Sequence, residues 1–146
     1  MRVWSHADFT FPLPAGHRYP LAKYALLRNY PFQRIPSDLD VELPAGTGDA
    51  DYLAALTEAL DQATTWFGAP DLAIYLAGAD PWEGDGLGRL ALTKAGLRKR
   101  DALVLDCLLA DDVPVAVTLA GGYPPDVRDG VEINAGTLAE VAVRAR

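Results

Sequence analysis

Two short stretches of this chain hold the residues whose types and spacing could do chemistry. Asp80 follows the apolar run Leu72–Ala77 and opens a loop rich in Gly and Pro that also carries Glu83 and Asp85. Tyr123 closes the word Gly121-Gly122-Tyr123, directly after the apolar run Val113–Ala120. If both runs are strands of one parallel sheet, their ends open on the same edge, where such sheets place ligands. A carboxylate and a phenol would then converge on one crevice. Other readings of these residues stay open. Asp80 stands before Pro81, and Asp-Pro pairs start turns. Tyr123 stands before Pro124-Pro125 and could be a packed turn aromatic. Glu83 and Asp85 read as loop carboxylates making local hydrogen bonds, with a paired acid–base role as the alternative. His6 and Asp8, two apart, have the look of a metal pair, and His17 is the second histidine. Cys107 has no histidine near it in sequence and reads as a small hydrophobe. The cluster Lys94, Arg98, Lys99, Arg100 reads as a solvated helix face partly paired with Asp101. Trp4, Trp66 and Trp82 are core or surface anchors, and Trp82, next to Asp80, could border an entrance.

The elements that must position these groups follow from periodicity. Leu53, Leu56, Leu60, Ala63 and Phe67 recur at helical spacing after Asp49, a candidate cap, and Gly68 is a C-terminal stop. Leu72–Ala77 is continuously apolar, as in a strand buried on both faces. Thr93 caps a second helix with Leu97, Val104, Leu105 and Leu108 inward. Thr137–Arg144 is a terminal helix. Ile35–Leu43 alternates weakly and reads as a strand, as does Arg2–Ser5. Leu21–Arg28 is a short helix that Asn29-Tyr30-Pro31 ends, since a residue before proline avoids helical geometry. From Leu43 on, strands and helices alternate, the pattern of a parallel sheet with helices on its faces. Right-handed crossovers bring the strand ends bearing Asp80 and Tyr123 to one side.

The bulk numbers bound the rest. A chain of 146 residues, half of them hydrophobic, is one domain with a single core. A net charge of −7 argues against nonspecific nucleic-acid or anionic-membrane binding, both of which need a basic footprint. One cysteine excludes a disulfide framework within the chain. With no signal-like start and no apolar run of spanning length, a cytoplasmic location is expected.

Several long words, in order, resemble the zinc-dependent histone deacetylases, in particular their bacterial class IV-like and acetoin-utilisation-type members. One block runs from His6 through Gly16-His17-Arg18 to Lys23-Tyr24. The other begins at Asn29-Tyr30-Pro31 and runs through Pro44-Ala45-Gly46-Thr47-Gly48 to about Leu138. The resemblance implies an α/β fold, a three-layer parallel sheet with helices on both faces, as a truncated arginase/deacetylase-like domain over 1–146 with blocks 1–28 and 29–146. It matches Asp80 to a zinc ligand and Tyr123 to the phenol that hydrogen-bonds the amide carbonyl. Arg18 corresponds to an arginine of an internal channel. Gly121 and Gly122 keep the backbone slim beside the substrate, and Asp85 braces the Asp80 loop. The implied substrate is an acetylated lysine or a small acetylated amine, and the implied reaction is metal-assisted amide hydrolysis.

The family's His-His pair and its Asp-x-His zinc-ligand word would fall between Arg28 and Asn29, and the sequence does not contain them. A catalytic zinc takes about three protein ligands and an open position. Zinc is therefore the family's cofactor but is not expected on this chain, and activity is not expected from it alone. The alternatives are a non-catalytic acyl-lysine- or amine-binding domain, or a fragment left by a defective gene or gene model. Apolar strand flanks without cover would also favour oligomers.

Overall fold

The computed structural model describes residues 38–68 and 70–145. By contacts the chain divides into two units, Met1–Asp38 and Leu39–Arg146, and all the described helices and strands belong to the second. The expected strand Arg2–Ser5, the helix Leu21–Arg28, the junction at Arg28–Asn29, and His6, His17 and Arg18 lie outside the described residues.

The second unit runs α1 (Asp49–Phe67), β1 (Ala73–Gly78), α2 (Lys94–Ala110), β2 (Val115–Ala120) and α3 (Val127–Arg144). β1 and β2 pair in parallel, from Ala73 opposite Val115 to Gly78 opposite Ala120, with α2 as the crossover. The expected alternation is present except for its first member, because the described part of Ile35–Leu43 forms no strand.

The helix boundaries have local causes. Gly68 ends α1 in a left-handed conformation, φ 65°, with its N–H bonded to the Thr64 carbonyl. Asp49 does not cap α1. Gly48 occupies that position, and the Asp49 carboxylate accepts from Thr93 N (2.8 Å) and Thr93 Oγ1 (2.7 Å). Thr93 in turn caps α2, its Oγ1 accepting from Gly96 N at 2.9 Å. One carboxylate thus joins the starts of α1 and α2. Gly96 lies so close to Asp49 that an added Cβ would overlap the carboxylate.

α3 begins ten residues before the expected Thr137. Asp126 caps it, accepting from Arg128 N at 2.9 Å. Gly130 and Gly136 within it, and the outward Val127 and Val131, blur the apolar stripe that a periodicity reading needs. The last two turns are fastened to α2 by Arg98–Glu140 (2.8 Å) and Arg144–Asp106 ion pairs.

The core gathers Ala79, Leu92, Leu97 and Ile133, with Tyr52, Trp82 and Leu90 packed against it. β1 is not buried on both faces, as its apolar run suggested. Ala77 is buried, but Ile74 and Leu76 on the opposite face are 64% and 65% exposed. The basic cluster also departs from expectation. Lys94 binds Asp129 and Glu132, and Arg98 binds Glu140. Arg100 is buried inside the unit instead of lying on a solvated face. No described helix is long and apolar enough to cross a membrane.

Candidate functional site

The parallel pairing places the C-terminal ends of β1 and β2 side by side, so the loops after Gly78 and Ala120 meet. Ala79 N donates to the Ala120 carbonyl at 3.0 Å, extending the ladder one residue into the loops. Gly121 and Gly122 have φ of 61° and 106°, values that L side chains rarely adopt. Their bareness is also used sterically. A Cβ on Gly121 would stand 2.5 Å from Asp80 Oδ1, and one on Gly122 2.9 Å from the Ala79 Cβ. The Asp80 carboxylate therefore lies across the space that Gly121 leaves open, while Gly122 leaves room for Ala79.

Asp85 ties the two loops together. Its Oδ1 accepts from Leu87 N (2.8 Å) and Gly88 N (2.6 Å), and its Oδ2 accepts from Tyr123 N (2.5 Å). Gly86 N returns a bond to the Tyr123 carbonyl at 3.0 Å. Desolvation raises the pKa of Asp85, but the three backbone donors outweigh it and hold the carboxyl below its ordinary value. Tyr123 is thus fixed by its backbone on both sides, while its side chain is 56% exposed.

Beneath these loops lies a polar cluster that sequence reasoning missed. Asp101 is 1% exposed. It accepts from Tyr75 Oη (2.5 Å), from Arg100 Nε (2.9 Å) and Nη2 (2.8 Å), and from Thr137 Oγ1 (2.6 Å). Arg100 Nη1 reaches on to the Gly78 carbonyl at 2.6 Å, two residues before Asp80. Burial raises the pKa of Tyr75 and of Tyr52, so both phenols stay protonated at neutral pH. A signal for the cluster exists in the sequence. Arg100 and Asp101 stand three and four residues after Leu97 and before Val104 and Leu105, which puts them on the inward stripe of α2.

Between loops and cluster opens a cavity of about 670 Å3, lined among others by Tyr52, Tyr75, Asp80, Arg100, Gly121 and Tyr123. The structure therefore brings Asp80, Asp85, Gly121, Gly122 and Tyr123 to one place. Trp82 does not line this cavity. It packs on the core, with the Lys94 ammonium 5.4 Å from its ring centroid. Cys107, half-buried on α2, has its thiol pKa raised by burial and by the nearby Asp111 and Asp61, which disfavours a thiolate nucleophile.

Zinc does not fit the described residues. They contain no group of three or more His, Cys, Asp and Glu side chains able to hold a metal ion. Asp80 is a single carboxylate, whereas a zinc centre draws on about three protein donors.

Comparison with known proteins gives this arrangement a lineage. The chain is 44% identical over 101 residues to an uncharacterized protein of Picosynechococcus, a match covering 69% of this chain and 33% of the relative. It is 38% identical over 97 residues to histone deacetylase 2 of Arabidopsis thaliana, covering 64% of this chain and 25% of that protein. The chain thus spans a third or less of the length of these relatives. Among solved structures, an acetylpolyamine aminohydrolase from Burkholderia pseudomallei superposes with a TM-score of 0.59 at 19% identity, over 70% of this chain and 28% of that one. The fold is therefore α/β, of the arginase/deacetylase architecture. The histone deacetylase domain matches residues 16–135, most of the chain and all of the loops that meet at the strand ends, and the chain belongs to the histone deacetylase family.

Proposed function

We propose that this chain is a deacetylase-family binding module that keeps one side of an amide-recognition crevice and does not hydrolyse amides by itself. The observation that carries this reading is the convergence of Asp80, the Gly121–Gly122 backbone and Tyr123 on one cavity. The ligand class is an acetylated lysine or a small acetylated amine, or the amine itself. In that role the Tyr123 phenol donates a hydrogen bond to a ligand carbonyl, and the two glycines let the ligand approach the backbone. Arg18, matched to the family's channel arginine, belongs to the same proposal. A lone Asp80 does not make the metal centre on which the family's chemistry runs, so the proposed role is binding without hydrolysis.

The test is acetate release from acetyl-lysine peptides and acetylated polyamines, with and without added zinc. The expected result is no turnover above the protein-free blank. Robust turnover abolished by a chelator would overturn the proposal.

The bare face of β1 adds a second expectation. Ile74 and Leu76 form an exposed aliphatic ridge, and such ridges drive association. Sedimentation velocity should show concentration-dependent association, reduced in Ile74→Thr. A single monomeric boundary across the concentration range would refute it.

A further inference from the structure

The cavity holds several charges, and they are not equally engaged. The Arg100 guanidinium is matched by Asp101, which takes both its Nε and its Nη2. Asp85 is occupied by three backbone N–H groups. Asp80 differs. It is exposed, lines the cavity and lies within electrostatic reach of Tyr52, and no described residue hydrogen-bonds or ion-pairs with its carboxylate. The remaining lining is largely aromatic and aliphatic, with the rings of Tyr52, Tyr75 and Tyr123 and the side chains of Leu56 and Leu76. An exposed carboxylate on a cavity that aromatic and aliphatic side chains also line suits a cation on an alkyl stem: the carboxylate supplies the countercharge, and aromatic rings attract ammonium groups.

We infer that this cavity binds a free primary alkylammonium, with Asp80 as its anchor, in preference to the corresponding acetamide. The inference rests on the proposed reading of the cavity as an amide- or amine-binding site, and narrows it. An acetamide carries no charge for Asp80 to meet and offers that carboxylate only a neutral N–H donor. The alkyl stem would lie along Leu56 and Leu76 in either case, so the discrimination resides in the head group.

The experiment uses the whole 146-residue chain labelled with nitrogen-15 and two probes, n-butylammonium and N-butylacetamide, at neutral pH. n-Butylammonium should move the amide signals of Gly88, Gly121 and Gly122 saturably, with a Kd about tenfold below that of the acetamide. In Asp80→Asn the ratio of the two constants should fall to about one. It should be unchanged in Asp71→Asn, which removes the same charge from a position before β1 that does not line the cavity. Should Asp80→Asn not fold, the wild-type ratio serves. It should fall between low salt and about 0.5 M NaCl, because screening weakens only the charged probe. An equal or tighter acetamide, a ratio insensitive to both salt and Asp80→Asn, or shifts scattered away from these glycines would overturn the inference. A tighter acetamide would leave the proposed amide-recognition crevice standing. Failure of both probes to bind would remove that reading as well.

Discussion

Asp101→Ala should cost the unit about 3–5 kcal/mol, the range for breaking a buried ion pair by removing one partner. The carboxylate is 1% exposed and accepts four hydrogen bonds from three different elements. Alanine in its place leaves the Arg100 guanidinium, whose side chain is only 5% exposed, without its counter-charge. It also strips the Tyr75 and Thr137 hydroxyls of their acceptor. A domain of this size has about 5–15 kcal/mol to lose, so the variant should be largely unfolded under mild denaturant. Thr137→Val removes a single hydrogen bond to a charged group and should cost about 1.5–3 kcal/mol. Urea unfolding followed by tryptophan fluorescence would rank the two. A loss under about 1 kcal/mol for Asp101→Ala would mean that water reaches the pair and that the cluster does not hold the strand ends together.

Gly121→Ala carries the second large effect. The left-handed conformation costs a non-glycine residue about 1–2 kcal/mol. The added Cβ would also stand 2.5 Å from Asp80 Oδ1, so the carboxylate or the loop must move. Overpacking of this kind costs about 1–3 kcal/mol, so the sum is about 2–5 kcal/mol. The displacement should be local. Amide signals of Ala79, Asp80 and Gly122 should shift most, and binding of small amines should weaken with them. A midpoint within experimental error of wild type, with Asp80 signals unmoved, would show that the close approach of Gly121 and Asp80 is not needed.

Much of the fold was legible because its signals are local. Gly68 and Thr93 act through their own backbone neighbourhood, and the structure places them where the sequence did. The parallel pairing of the two strands followed from the alternation of elements. What escaped depends on tertiary partners. Asp49 had the composition of a cap, but Thr93, 44 residues on, engages its carboxylate. The apolar run before Asp80 suggested two covered faces, yet Ile74 and Leu76 lie open. Arg100 and Asp101 looked like solvent charges, because adjacent opposite charges usually are. Only their position on the inward stripe of α2 hinted otherwise. The site words were legible through the family they resemble, whereas the polar cluster beneath them has no such word.

The clamp at Asp85 draws on main-chain donors alone: the N–H groups of Leu87, Gly88 and Tyr123. Two of those positions, Leu87 and Tyr123, carry exposed side chains that take no part in these three bonds. Codons 87 and 123 can therefore drift without loosening the bracket that presents them. A lineage could retune what this rim recognises by single substitutions there, keeping the scaffold while exchanging its chemistry.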